Sequence, residues 1–65
     1  MKEYLFSDSE VWHRSIKANN WNSAVRIARD QFLIKGRLRI KVWNGNNRDY
    51  KLDKSDYIFT LRLVD

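Results

Sequence analysis

The residues with the clearest chemical potential in this chain are cations set at alternate positions. Arg37, Arg39, Lys41 and Trp43 recur at every second residue. On a β-strand that period points all four the same way, with successive members roughly 6 to 7 Å apart, comparable to the phosphate spacing of a nucleic-acid strand. Guanidinium groups grip phosphate or carboxylate through paired hydrogen bonds, and an indole stacks on an exposed base. The row therefore has the makings of a surface that tracks an anionic backbone. Its plain alternative is the solvated side of an amphipathic strand, against which the uniform sign and the tryptophan stand out. Arg26 and Arg29 in a helical stretch, and Arg62 near the end of the sequence, are further candidates. They join the row only where the helix edge and the last strand lie beside it. Arg26 also stands four residues before Asp30, the spacing of an ordinary helix-surface ion pair.

The remaining polar residues exclude more than they offer. His13 is the single histidine and there is no cysteine, so thiolate sites and the paired-histidine helical motif are absent from the sequence, and no metal ligand set or cofactor is expected. Ser15 lies two residues from His13, without an orienting acid or the glycine elbow that exposes a nucleophilic serine. Two glycines in all supply no phosphate-cradling loop. Asp53 and Asp56 bracket a stretch whose turn chemistry explains both. A chain of 65 residues rarely encloses a water-excluded pocket, so no enzymatic activity is expected.

Thirteen lysines and arginines against eight acids leave a net charge of +5 and a pI near 9.9, which favours acidic partners. Those are nucleic acid or an acidic protein surface. No basic amphipathic helix dominates, and no apolar run is long enough for a signal peptide or a membrane span, so no membrane partner is expected. The lack of cysteine fits a reducing compartment, and the expected location is the cytoplasm of a bacterium or an infected host cell. So short a chain buries only about 60% of the surface its unfolded form exposes, which makes stability marginal and leaves self-association open.

The elements that must position these residues follow from periodicity. Glu3 to Ser7 and Val11 to Ala18 read as two strands around the polar cluster Ser7-Asp8-Ser9-Glu10, with Trp12, Ile16 and Ala18 on the drier side of the second. Trp21, Ala24, Val25, Ile27, Ala28, Gln31 and Phe32 then recur at helical spacing. Asn20 is suited to cap the helix, and Gly36 to end it after Lys35. Arg37 to Trp43 alternates cleanly, with Leu38, Ile40 and Val42 opposite the cations. Asn44-Gly45-Asn46-Asn47 turns the chain back into Asp49 to Leu52. A polar turn at Asp53-Lys54-Ser55-Asp56 precedes Tyr57 to Val64, where Phe59, Leu61 and Leu63 oppose Ile58, Thr60, Arg62 and Val64. Nothing marks a linker, so residues 1–65 read as one basic α+β domain: an antiparallel sheet of four to five strands with one helix on one face, in the order β-β-α-β-β-β. One helix covers only part of such a sheet. The other face must be polar, bound to a partner, or paired with a second copy as a homodimer.

The stretch from Ile16 to Val42, with Ala18-Asn19-Asn20-Trp21-Asn22-Ser23-Ala24 entering a helix that ends in Gln31-Phe32 and returning through Gly36, resembles the small phage-encoded inhibitors of bacterial RNA polymerase. The likeness covers under half the chain and supports no family assignment. It implies a strand pair, a helix and a following strand, with Arg37 and Arg39 on the strand that contacts polymerase. The acidic helix surface of that family is replaced here by Arg26 and Arg29. Two functions are thus expected from the sequence. One is a non-enzymatic module whose basic, aromatic-bearing sheet face engages nucleic acid. The other is a viral-type inhibitor or adaptor that docks the same face on an acidic surface of a host nucleic-acid enzyme, such as RNA polymerase or a CRISPR effector, and blocks it sterically.

Overall fold

The computed structural model describes residues 1–8, 11–53 and 58–64. Residues 9–10 of the expected turn at 7–10, residues 54–56 of the expected turn at 53–56 and the expected strand start at Tyr57 lie outside these residues, as do the side chains of Trp12 and His13. Five strands and one helix follow one another as β1 (Lys2–Asp8), β2 (Val11–Ala18), α1 (Trp21–Gln31), β3 (Leu38–Asn44), β4 (Asn47–Leu52) and β5 (Ile58–Leu63). They form one sheet in the order β2-β1-β5-β4-β3, with every neighbouring pair antiparallel. This is the small α+β architecture that the periodicities imply.

Because β2 and β3 occupy opposite edges, the connection carrying α1 spans the width of the sheet. The centre belongs to β5, whose alternation sets the two faces. Phe59 and Leu61 are fully buried on the helix side, where they pair with Tyr50 and Arg48 of β4, and Leu61 also pairs with Phe6 of β1. Tyr4, Phe6, Ile16 and Ala18 complete that side. Ala24 and Ala28 of α1 are fully buried against it, their small side chains letting the helix axis approach.

Asn20 caps α1 as expected: its Oδ1 accepts from the Ser23 amide at 2.9 Å, satisfying one of the free amides of the first turn. The far end differs from expectation. The helix stops at Gln31, and the residue in the left-handed region is Leu33, at φ 53°, not Gly36. The Ile34 amide donates back to the Arg29 carbonyl at 2.9 Å, closing the helix end in a Schellman-type turn. Packing explains the early stop. Phe32 stacks on Phe6 with centroids 4.0 Å apart and planes 9° from parallel, while Ile34 is buried. Two residues along a continuing helix would point these side chains roughly 200° apart, so both reach the sheet only if the helix ends between them. Gly36, at φ 112°, instead bends the chain into β3.

The face away from α1 is polar, and its side chains bond to one another. The Thr60 hydroxyl donates to Asp49 Oδ1 at 2.6 Å, and Arg62 Nε donates to Asn47 Oδ1 at 2.9 Å. Leu5 and Lys51 lie among them, half-buried.

Candidate functional site

The alternating row is broken at its second member. Leu38 pairs with Leu52, yet Ile40 pairs with Lys51, so β3 carries one extra residue at Arg39. Such a bulge reverses which side every later residue faces. Beyond it Lys41 pairs with Tyr50 and Trp43 with Arg48, both on the helix side, while Val42 pairs with Asp49 on the other and is 49% exposed. Leu38 and Trp43 are separated by an odd number of positions, and only the bulge puts both on the side of α1. The expectation that Arg37, Arg39, Lys41 and Trp43 project together, opposite Leu38 and Val42, is therefore corrected. Lys41 and Trp43 share a side with Leu38. Arg39 sits at the bulge, its Nε 2.9 Å from Asp53 Oδ1. Arg37 precedes the strand, exposed, and its carbonyl accepts from the Asp53 amide.

The other cations scatter. Arg62 lies on the opposite face of the sheet. Arg29 is half-buried at the end of α1 and donates from Nη2 to the Gly36 carbonyl, tying the helix to the approach to β3. Arg26 is exposed one turn beyond Asn22 on the outer surface of α1.

What the bulge brings together centres on Arg48, a residue absent from the sequence-based candidates. It is only 6% exposed. Its guanidinium carbon lies 3.7 Å from the Trp43 ring centroid and 4.5 Å from that of Trp21, and the two indoles are 6.3 Å apart at 42°. These distances wedge the cation in the angle between the rings. Trp21 in turn meets Tyr4 edge-on at 4.9 Å. Among the described residues no carboxylate pairs with Arg48, and its Nε makes no hydrogen bond. The charge is held by ring faces instead, an interaction worth about 2 kcal/mol or more when desolvated. The surrounding phenols register it. Burial pushes the Tyr50 hydroxyl above its ordinary pKa, while hydrogen bonding to Arg48 and the nearby positive charge hold part of that rise back and Tyr4 adds to it. Burial likewise raises Tyr4, against the charge of Arg48. The Tyr4 hydroxyl is buried without a partner among the described residues.

A signal for this arrangement does exist in the sequence. Gly45 takes φ 63° as the first residue of a two-residue loop, the arrangement of a type II′ hairpin turn. Counting outward from Asn44 and Asn47 then pairs 43 with 48 and 41 with 50. The expected strand began two residues late, at Asp49, and so left Arg48 in a loop.

Beside this cluster α1 and β3 leave a groove of about 350 Å³ between them. Asn22 and Val25 line it from the helix, Leu38, Arg39 and Lys41 from β3, and Tyr50 from β4. Trp43, 64% exposed, is the next residue beyond Lys41 on the same side. Its inner face rests on Arg48.

The chain matches no family model, no curated protein and no solved structure. Among the described residues no group of three or more His, Cys, Asp or Glu could hold a metal ion, and no helix is long and apolar enough to cross a membrane.

Proposed function

We propose that this protein is a non-enzymatic domain that binds single-stranded nucleic acid along the groove between α1 and β3. The observation that carries the reading is Trp43: one face of its indole rests on a buried guanidinium, the residue is 64% exposed, and Lys41 precedes it on the same side. A fixed aromatic plane beside cations suits stacking of an unpaired base with the adjoining phosphates neutralised, and a duplex does not offer such a base. Lys41 stands at the groove together with Arg39, whose charge is shared with Asp53. The charge of Arg48, with no carboxylate partner among the described residues, raises the potential of the same corner.

Fluorescence anisotropy with labelled single-stranded and duplex oligonucleotides at two salt concentrations tests the proposal. Single strands should bind more tightly than duplex, with affinity falling steeply as salt rises. Trp43→Ala should weaken binding about tenfold or more, the scale of one lost base stack. Absence of binding to either form at low salt would overturn the reading. Docking of the same cations on an acidic protein surface would then be the surviving function.

A further inference from the structure

We propose that Asn44 is a site of spontaneous deamidation, and that the carboxylate it acquires disables the stacking corner at Trp43. The reaction rests on the β3–β4 turn alone, and its consequence rests on the single-strand reading above. In the first step the Gly45 backbone nitrogen gives up its proton and bonds to Asn44 Cγ, while the Cγ–Nδ2 bond breaks and ammonia leaves. Water then opens the cyclic imide. Attack at Cγ yields aspartate, and attack at the main-chain carbonyl yields isoaspartate, with the backbone rerouted through the side chain.

The structure separates Asn44 from the other asparagines. Cyclisation needs a free carboxamide and a following nitrogen that no side chain shields. Asn44 is exposed, and among the described residues its side chain has no hydrogen-bonding partner. Gly45 takes φ 63° at the exposed tip, and no heavy atom beyond its chain neighbours lies within 4 Å of where a Cβ would stand. The alternatives are obstructed. Asn20 accepts from the Ser23 amide, which engages the nitrogen that Asn22 would need, and Asn47 is held by Arg62. Asn19, Asn20, Asn46 and Asn47 each precede a residue with a bulky side chain.

The product falls where an anionic ligand would feel it most. Asn44 directly follows Trp43 and pairs with Asn47 at the end of the ladder. An added carboxylate lowers the net charge below +5 and repels phosphates beside the indole. Isoaspartate also adds a carbon to the main chain, next to the pairing that sets Trp43 opposite Arg48, and so unseats the ring from the guanidinium.

Ageing the purified protein at mildly alkaline pH, followed by peptide mass mapping, tests the site. Asn44 should convert ahead of every other asparagine, and Asn44→Gln, which must close a larger ring, should leave residue 44 intact. Conversion that begins at another asparagine, or an unchanged residue 44 after prolonged ageing, overturns the proposal. Anisotropy with oligo(dT) at low salt reads the consequence. Asn44→Asp should bind about fivefold more weakly than Asn44→Gln, the scale of one added charge near a phosphate. The isoaspartate form, separated by ion exchange, should bind more weakly still, and circular dichroism checks that every form is folded. Equal affinity of all forms overturns the loss of function. Failure of the unmodified protein to bind overturns the single-strand reading, and the peptide map then still decides the site.

Discussion

The two ends of the helix-side face are closed by different chemistry. Over β1 and β2 the lid is α1 itself, with Ala24 and Ala28 pressed against Tyr4, Phe6, Ile16 and Ala18, and Phe32 stacked on Phe6. Over β3 and β4 the helix leaves a groove, and the corner is filled by Arg48 between two indoles. The first end relies on area removed from water, which is cheap in sequence terms and indifferent to charge. The second accepts a buried cation, whose desolvation is costly, and offsets it with ring faces.

The contrast is open to test, beginning with the largest expected effect. Phe6→Ala removes a fully buried ring that packs on both Phe32 and Phe59, and should cost about 3 to 5 kcal/mol, enough to abolish the cooperative thermal transition. A loss below about 1 kcal/mol would mean the helix-covered end is not the stabilising one. At the other end, Arg48→Ala should cost about 2 to 3 kcal/mol through the cavity it leaves, whereas Arg48→Met, apolar and similar in length, should stay within about 1 kcal/mol of the parent while weakening oligonucleotide binding. Equal losses from both substitutions in urea titrations would show that the charge itself holds the corner together.

Leu33→Gly should raise stability by about 1 kcal/mol, because glycine relieves the left-handed backbone and the leucine side chain, 79% exposed, gives up little burial. That corresponds to a gain of roughly 4 to 8 °C in Tm for a domain of this size. An unchanged or lower Tm would mean the leucine side chain contributes more than its exposure suggests. The gentlest perturbation is pH. Tyr4 and Tyr50 hold their protons more tightly folded than unfolded, so their contribution is complete below the ordinary tyrosine pKa of about 10 and is lost as pH rises through the higher folded values. Their phenolate absorbance should therefore appear together with loss of the near-ultraviolet circular dichroism. Ionisation of both well before unfolding would show that they are not shut away beside Arg48.

Much of this was legible in the residues. The alternation of Phe59, Leu61 and Leu63 against Thr60 and Arg62 placed the central strand's faces correctly, and Asn20 marked the start of α1. Two features were not. Leu33 in a left-handed conformation contradicts its local preference, and only the joint demand of Phe32 and Ile34 for the core explains it. The bulge at Arg39 is hidden because the uninterrupted alternation of β3 is a better strand pattern than the one adopted. Packing of Leu38 on the core and of Trp43 on Arg48 and Trp21, on one side, overrode it. A periodicity argument carries no term for such a shift, and Lys41 and Trp43 were therefore assigned to the wrong side.

The place of β5 in the sheet governs how the molecule can be made. It leaves the ribosome after every other strand, yet it separates β1 from β4 and bonds to both. Until it arrives, the nascent chain consists of two hairpins not bonded to each other, with α1 resting on the first alone, and the Tyr4 to Leu63 pairing joins segments from nearly opposite ends. Assembly is thus deferred until synthesis of this segment is complete, and a chain ending at Lys51 should show no cooperative unfolding transition.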